Sequence, residues 1–419
     1  MSLRKGEIDL LRNVSEIKVI VFHISDSPIL SANDWEDVQK IYESEYNCMF
    51  LTDLDQLPDF IDDSDIIKVE PLKMVLWPSL SLFDHIKERF NAQTSEIILV
   101  SKDSRFTKRS MKLLSGVILI SENMVKYEQL DNTPDAIFHN FNQFYELVVL
   151  DNLVGRNYFG ENQIPLPTNQ FRSRYIHCLY PISDSKKVRL FSLGRYYSSK
   201  HYMHEMHPYS KAIISNKSSN SKLFGKFNIK LSDLIIQTIG SFPDSFKLDA
   251  LCYVPPRPNE ESRFSDIFEH IFSQTDKWIQ QLEDISPFLI ATRDFEKQKF
   301  LNTEERLTNV ENAFTVTKVL TGKNVMVIDD VVTTGATLKA CAEALFQAGV
   351  ESVSFFVFAI NQREQSGLFS EYRTACPYCL GDLYLNINST TYLPFYSCSD
   401  CRRTFDYDPV MENLNRRIR

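Results

Sequence analysis

The sequence lacks any long hydrophobic run. Across its 419 residues, no segment approaches the roughly 18 consecutive apolar residues that a membrane-spanning helix needs. The opening residues, MSLRKGEIDLLRN, also lack the apolar core of a secretory signal peptide. We therefore predict no membrane span and expect a cytoplasmic protein without a membrane partner.

Positive charge is outnumbered by negative charge, and no internal repeat is visible. The chain has 46 lysines and arginines against 55 acidic residues, which gives a formal net charge of −9. That balance argues against a protein that coats nucleic acid, although it leaves a local basic site open. The length predicts two or three domains, and a hydrophobic content of 43% is sufficient for sizeable cores.

The eight cysteines fall into two groups. Four are isolated, and four form the pairs CPYC and CSDC towards the end of the sequence. This distribution suits a reducing compartment with one metal site better than a disulfide framework. The pairs are separated by 18 residues, a spacing typical of zinc ribbons, and four thiolates leave no open position for water on the metal. We predict a structural Zn²⁺ site formed by Cys376, Cys379, Cys398 and Cys401.

Short apolar runs alternate with helical patterns along most of the chain. Runs such as IKVIVF and SEIILVS are typical of buried parallel strands, and a second set that includes NVMVID and ESVSFFVFAI begins near residue 188. The polar passage GRNYFGENQIPLPTNQ indicates a linker between the two sets. The predicted fold is therefore α/β, with two doubly wound domains and a small zinc ribbon. The predicted boundaries are 1–152 for the first domain, 153–187 for the linker, 188–371 for the second domain and 372–419 for the ribbon tail.

The stretch NVMVIDDVVTTGATLKACAEALFQAG, residues 324–349, is the least ordinary part of the sequence. Its strand should deliver Asp329 and Asp330 to the carboxyl edge of a parallel sheet, where ligands bind in such folds. Gly335 allows close backbone approach, and the helix that follows directs free N–H groups at the turn. Carboxylates beside an anion-binding turn suit a phosphorylated ribose. The alternative is an ordinary strand–turn–helix with an acidic cap.

The stretch resembles the phosphoribosyl-pyrophosphate (PRPP) motif of type I phosphoribosyltransferases. The resemblance implies that the two aspartates hold the ribose 2′ and 3′ hydroxyls while the turn wraps the 5′-phosphate. It extends to LDALCYVPPRPNEESRFSDIFEHI, where the family has its pyrophosphate loop. RDFEKQKFLNTEERLTNVENAFTV is in turn similar to the flexible catalytic loop of ComF-like members. The implied PRPP-binding residues are Asp329, Asp330, Thr333, Thr334, Gly335, Ala336 and Thr337.

Cations are expected near the diphosphate leaving group of PRPP, because negative charge develops there during the reaction. Arg257, in the VPPRP turn, is the first candidate. Lys297 and Lys299, with Arg293, belong to the loop that would close over the ligand. Mg²⁺ would bridge diphosphate oxygens and ribose hydroxyls. The alternative for the loop lysines is ordinary solvation.

The acceptor of the phosphoribosyl group is not indicated by any motif. Purine-salvage members of the family place an acid where this chain has Thr333, which weakens a purine-salvage interpretation. We predict Mg-assisted displacement of pyrophosphate from PRPP by an unknown acceptor. The alternative is a non-catalytic PRPP- or nucleotide-sensing or partner-binding module, with a nucleic-acid-related process left open.

The first domain contains a stretch that resembles a second family. IKVIVFHISDSPIL resembles motif I of haloacid-dehalogenase-like (HAD) phosphatases, whose two aspartates are replaced here by His23 and Ser25. Without a carboxylate nucleophile no aspartyl-phosphate forms, so a HAD-like domain lacking phosphatase activity is expected. Another three-layer α/β domain is the alternative. A protein or nucleic-acid partner on this domain or on the ribbon, where Arg402 and Arg403 follow Cys401, stays open, as does a homo-oligomer.

Overall fold

The computed structural model describes two extended parts of the chain and several short ones. The described residues are 17–362, except 70–84, 87, 93–95, 112–115, 131–132, 151–174, 199–207, 217–224, 226, 259, 295–308 and 311, together with 374–375, 382–387, 394–398 and 401–406. Among these residues, no helix has both the length and the apolar character needed to cross a bilayer.

Six parallel strands form the first sheet. They are β1 (Val19–Ile24), β2 (Asn47–Thr52), β3 (Ile66–Lys68), β4 (Ile97–Ser101), β5 (Gly116–Ile120) and β6 (Ala136–Phe138). Their spatial order is β3-β2-β1-β4-β5-β6, the order of doubly wound nucleotide-binding domains, with the topological switch between β1 and β4. Strand β1 is buried along its whole length, as a continuous apolar run in a parallel sheet should be. The doubly wound prediction is confirmed, whereas the likeness to HAD phosphatases stays a prediction.

Helices described with this sheet include α1 (Ala32–Tyr42), α2 (Ser104–Met111) and α3 (Phe141–Phe144). Helix α1 begins with a capping box, because the Ser31 hydroxyl accepts from the backbone N–H of Asp34 while the Asp34 carboxylate accepts from the backbone N–H of Ser31. The reciprocal bonds satisfy backbone donors that the first helical turn leaves open.

The second sheet has seven strands. They are β7 (Ile176–Pro181), β8 (Lys187–Ser192), β9 (Arg195–Tyr196), β10 (Ala250–Tyr253), β11 (Glu283–Asp284), β14 (Asn324–Val332) and β15 (Ser352–Asn361). The main order is β11-β10-β14-β15-β8-β7, with β9 beside β15. All pairs are parallel except β7 with β8. The sheet thus begins at Ile176, inside the range predicted as linker.

The second sheet is covered by helices α4 (Pro208–Ser215), α5 (Asn228–Ile239), α6 (Ser265–Phe272) and α7 (Ala336–Gln347). Side chains of β14 alternate between its two buried faces: Val325 and Val327 enter one core, and Met326 and Ile328 enter the other. This burial on both sides explains why the strand is apolar throughout.

Two smaller sheets complete the described structure. Strands β12 (Leu289–Ala291) and β13 (Phe314–Val316) form an antiparallel pair, so the predicted strand FLIATR lies outside the main sheet. Strands β16 (Thr374–Ala375), β17 (Asp382–Ile387), β18 (Pro394–Cys398) and β19 (Thr404–Asp406) form a four-stranded antiparallel sheet in the predicted ribbon region.

One hydrophobic core cluster is shared by the two α/β domains. Leu119, Val125 and Leu130 of the first domain belong to the same buried cluster as Tyr180 and Ala336 of the second. Polar contacts reinforce the junction. Arg195, whose side chain is fully buried, pairs with Asp135 at 3.0 Å, and the Gln362 side-chain oxygen accepts from the backbone N–H of Thr133 at 2.9 Å.

Candidate functional site

The paired aspartates lie near the end of β14, in the middle of the second sheet. Asp329 and Asp330 are 8% and 5% exposed. Each carboxylate accepts a hydrogen bond from the next backbone N–H, at 2.8 Å for Asp330 N and 2.6 Å for Val331 N. The strand therefore delivers both acids to the carboxyl edge of the sheet, as the sequence predicts, with their side chains held by the local backbone.

Arg263 forms an ion pair with each of the two aspartates. Its Nη2 atom lies 3.0 Å from Oδ1 of Asp329 and 3.0 Å from Oδ1 of Asp330. Strands β10 and β14 are parallel neighbours, so the loop after β10 emerges at the same sheet edge and carries Arg263 to the acids. Burial opposes the charge of the guanidinium, but the two carboxylates outweigh it and raise the pKa of Arg263.

The ion pairs use one oxygen of each carboxylate. A carboxylate has two oxygens and about four positions for hydrogen-bond donors, so Arg263 does not by itself fill the acceptor capacity of Asp329 and Asp330. The side chain of Arg263 is 37% exposed, which places the contact at the mouth of the sheet edge. The arrangement is therefore compatible with hydroxyl groups of a sugar binding to the same carboxylates.

Sequence reasoning selected Arg257 as a cation for the diphosphate, a role that stays a prediction, and did not single out Arg263. Arg257 pairs with Glu260, three residues further along the loop after β10. Arg263 stands two residues before the first residue of α6. Both arginines belong to the stretch assigned to the pyrophosphate loop. The sequence signal that could have identified Arg263 is its position just before a helix.

Two tyrosine hydroxyls donate hydrogen bonds to backbone carbonyls of the turn after β14. Tyr180, at the end of β7, donates its hydroxyl hydrogen to the Thr334 carbonyl at 2.6 Å, and Tyr127 of the first domain donates to the Thr333 carbonyl. Gly335 has φ 72° and caps α7. A Cβ atom at this position would overlap the hydroxyl and ring of Tyr180, so the turn requires glycine for its conformation and for the space.

The turn offers several donors to an anion. The 12-residue helix α7 starts at Ala336, and the N–H groups of its first turn, with the positive end of its dipole, favour a bound phosphate. Thr333 is exposed, and Thr334 and Thr337 are half-buried. Within the described part of the chain, the buried Oγ1 of Thr334 has no hydrogen-bond partner. A phosphate oxygen could serve as that partner.

The predicted catalytic loop connects β12 to β13. Its base is closed by a hydrogen bond from Thr292 N to Ala313 O at 2.8 Å, and Arg293 donates to Asn309 O at 2.9 Å. Lys297 and Lys299 lie outside the described residues. Their role in holding pyrophosphate stays a prediction.

Half of the predicted zinc site can be described. Cys398 is buried at the end of β18, and the backbone N–H of Cys401 donates to Cys398 Sγ at 3.4 Å. Such a bond favours the charged thiolate that a metal requires. Cys376 and Cys379 lie outside the described residues, and the part of the chain that is described contains no cluster of three or more metal-binding side chains.

The first domain places His23 and Ser101 together at the ends of adjacent strands β1 and β4. Their Nδ1 and Oγ atoms are 2.7 Å apart, and the His23 ring stacks on Phe106 with 4.0 Å between ring centroids. Burial lowers the pKa of His23 to about 4, opposed by Asp103 and assisted by Arg105. Ser25 donates to the carbonyl of Ser27 at 3.0 Å. The positions that resemble phosphatase aspartates thus hold a neutral imidazole and a hydroxyl.

Comparison with known proteins agrees with the geometry of the second sheet. Residues 276–391 match the family model described as phosphoribosyl transferase domain. The chain is also 34% identical over 77 residues to proteins named DNA utilization protein YhgH from Escherichia coli (strain K12) and Shigella flexneri. That match covers 18% of this chain and about a third (34%) of the length of each relative. The aspartate pair and the turn before α7 both lie within residues 276–391, so the chain contains a phosphoribosyl transferase domain that includes them.

Proposed function

We propose that the protein transfers a phosphoribosyl group from PRPP to an acceptor and releases pyrophosphate. The observation that carries this proposal is the juxtaposition of Asp329 and Asp330 with the turn that leads into α7, at one edge of the second sheet. Carboxylates accept from ribose hydroxyls, and the helix start binds the 5′-phosphate, so the two features together fit one phosphorylated sugar.

The proposed reaction is a displacement at ribose C1. The bond from C1 to the diphosphate oxygen breaks, the electron pair leaves with pyrophosphate, and a new bond forms between C1 and the acceptor. The protein contributes by fixing the ribose and by stabilising the departing charge. Arg263 and Arg257, both in the loop after β10, and the lysines Lys297 and Lys299 are the cations proposed for that charge.

Two metals belong to the proposal. The hard carboxylate oxygens at the sheet edge suit Mg²⁺, which would neutralise the diphosphate and be held mainly through the substrate. Zn²⁺ would be structural and bound by Cys376, Cys379, Cys398 and Cys401, for which the N–H···S bond at Cys398 is the support. The ribbon sheet β16–β19 would then be fixed by its metal.

The enzyme proposal is tested by pyrophosphate release. Purified protein is incubated with PRPP, Mg²⁺ and pools of nucleobases, amines and other small metabolites, and pyrophosphate is measured with and without each pool. We expect release that depends on one pool and that is lost in Asp330→Asn. Release that is equal in the wild type and this variant would contradict the assignment of the site.

A second candidate is a PRPP or nucleotide sensor without catalysis. The ion pair of Arg263 with both aspartates favours it, because a ligand that displaces or shares this contact would change the loop after β10. The name of the YhgH relatives refers to DNA utilization, which supports a nucleic-acid-related process as its context. PRPP binding without pyrophosphate release from any acceptor pool would favour the sensor.

We propose a cytoplasmic location for the protein. The thiols of Cys48, Cys178, Cys252 and Cys341 are free and buried, and burial raises the pKa of each of them. Unpaired core cysteines of this kind support a reducing compartment.

A further inference from the structure

The first domain reaches the phosphate-binding turn of the second domain directly. Tyr127 lies in a single 3₁₀ turn, Tyr127–Gln129, that follows β5, and its hydroxyl donates to the Thr333 carbonyl. The Tyr127 ring meets the Tyr180 ring edge to face, with 5.0 Å between centroids. Tyr180 donates to the next carbonyl, that of Thr334. Two consecutive carbonyls of the turn are therefore held by a pair of tyrosines in mutual contact.

Because the peptide group is planar, the hydrogen bonds to the Thr333 and Thr334 carbonyls also orient the backbone N–H groups of the residues that follow. In a planar trans peptide, the C=O of one residue and the N–H of the next point in opposite directions. Holding the Thr333 carbonyl towards Tyr127 directs the Thr334 N–H away from it. Holding the Thr334 carbonyl towards Tyr180 likewise directs the Gly335 N–H away from Tyr180. Both amides immediately precede α7, where an anion is favoured.

Tyr180 is suited to a fixed role. It is 4% exposed, and burial, with a smaller contribution from Glu128, raises its pKa. The phenol therefore stays protonated near neutral pH and continues to donate. Its hydroxyl and ring occupy the space that a side chain at residue 335 would need, so Tyr180 packs directly against the glycine of the turn.

Tyr127 is fixed by the junction between the domains. Its neighbour Lys126 forms a parallel bridge with Leu179 of β7, and Leu179 N donates to Val125 O at 2.9 Å. Val125 is buried in the shared core. Because residues on both sides of the junction are joined by backbone hydrogen bonds, the junction holds the backbone that carries Tyr127 next to the turn.

We propose that the first domain sets the anion-binding conformation of the turn, with Tyr127 and Tyr180 as positioning residues for the 5′-phosphate of the sugar. The ligand class is a phosphate monoester on a ribose. This inference rests on the proposed function, since it concerns the same site. It assigns to the first domain a role that does not depend on phosphatase chemistry of its own.

The test measures binding of two probes to the full chain, with and without Tyr127→Phe and Tyr180→Phe. Ribose 5-phosphate reports on the turn, and pyrophosphate with Mg²⁺ reports on the loop after β10. We expect each variant to weaken ribose 5-phosphate binding about 3- to 10-fold, the effect of one hydrogen bond, and to leave pyrophosphate binding unchanged. Tyr209→Phe is the matched control, because it removes another buried tyrosine hydroxyl, which donates to the backbone carbonyl of Phe358 at 2.8 Å.

The outcomes separate this inference from the proposed function. A wild-type protein that binds neither probe would contradict both. A wild type that binds both probes, with Tyr127→Phe and Tyr180→Phe indistinguishable from Tyr209→Phe, would overturn the positioning role and leave the proposed function standing. Equal weakening of both probes would overturn it as well, because general loosening has no preference for the 5′-phosphate. If Tyr180→Phe does not fold, the half-buried Tyr127 decides the question.

Discussion

The Nη2 atom of Arg263 lies 3.0 Å from Oδ1 of Asp330 and 3.0 Å from Oδ1 of Asp329. One cation therefore compensates two acids that lie next to each other at the end of a buried strand. Without it, two adjacent carboxylates of low exposure would repel each other in a poorly hydrated position.

The first prediction concerns this ion pair. Arg263→Gln should lower the free energy of unfolding by about 1–3 kcal/mol, because two partly buried carboxylates lose their counter-ion. The measurement is urea denaturation near pH 7. Arg257→Gln is the control: it removes an ion pair with Glu260, whose side chain is 52% exposed, and should cost no more than about 1 kcal/mol. Equal losses in the two variants would contradict the importance of the Arg263 contact.

The second prediction concerns the acids as ligands of the sugar. Asp330→Asn should weaken PRPP binding by about 10- to 100-fold, since a hydrogen bond to a charged acceptor is replaced by a weaker one. Calorimetric titration with PRPP and Mg²⁺ measures the change. Asp266→Asn, on the first turn of α6, serves as a control at a nearby carboxylate. Unchanged PRPP affinity in Asp330→Asn would remove the acids from the ligand site.

The third prediction separates backbone strain from steric overlap. Gly335 and Gly322 both have positive φ, 72° and 74°, but a Cβ atom at Gly335 overlaps Tyr180 while nothing lies within 4 Å of one at Gly322. Gly322→Ala should cost about 1–2 kcal/mol in unfolding free energy. Gly335→Ala should cost about 1–3 kcal/mol more because of the overlap. Comparable costs would show that Tyr180 moves away freely, which would also weaken its positioning role.

The fourth prediction concerns His23 and pH. Its pKa in the folded state is about 4, below the value near 6.5 of an exposed histidine. The stabilisation from the neutral imidazole is therefore complete above pH 6.5, declines as the unfolded state takes up a proton, and levels off below pH 4. His23→Gln should reduce the loss of stability between pH 7 and pH 5 by up to about 2 kcal/mol. Urea denaturation at both pH values measures this, with a glutamine variant of the exposed His139 as control; an unchanged loss in His23→Gln would contradict the low pKa.

The fifth prediction concerns the ribbon. The purified chain should contain about one equivalent of zinc, as expected for four thiolates around one ion. Cys401→Ser should lower the zinc content, whereas Cys48→Ser, at a buried cysteine of the first domain, should leave it unchanged. Metal content is measured by atomic emission after gel filtration. Zinc that is retained fully in Cys401→Ser would place the metal elsewhere.

Much of the fold and of the acid–turn arrangement was predictable from local sequence. A continuous apolar run indicates strand β14. The hydroxyl residues around Gly335, just before a helical pattern, indicate the turn. Strand β7 was missed because its residues alternate between buried and half-buried positions and follow a polar passage. A pattern of that kind is typical of an edge strand and is weak in a short segment.

The contacts that hold the turn could not be predicted because they are distant in sequence. Tyr127 and Thr333 are 206 residues apart, and Tyr180 and Thr334 are 154 apart. Arg263 posed a different difficulty. The sequence shows two arginines in one loop, but only the relative position of β10 and α6 determines which of them points at the acids.

The pairing of Arg195 with Asp135 has a practical consequence for anyone who divides this chain. Asp135 belongs to the first domain, and the Arg195 guanidinium that it compensates belongs to the second and is fully buried in the intact chain. A fragment that starts after residue 150 would keep the arginine and lose this carboxylate, along with part of the apolar cluster that surrounds Tyr180. Inactivity of such a fragment would then reflect damage from the cut, and it would say nothing about which domain performs the chemistry.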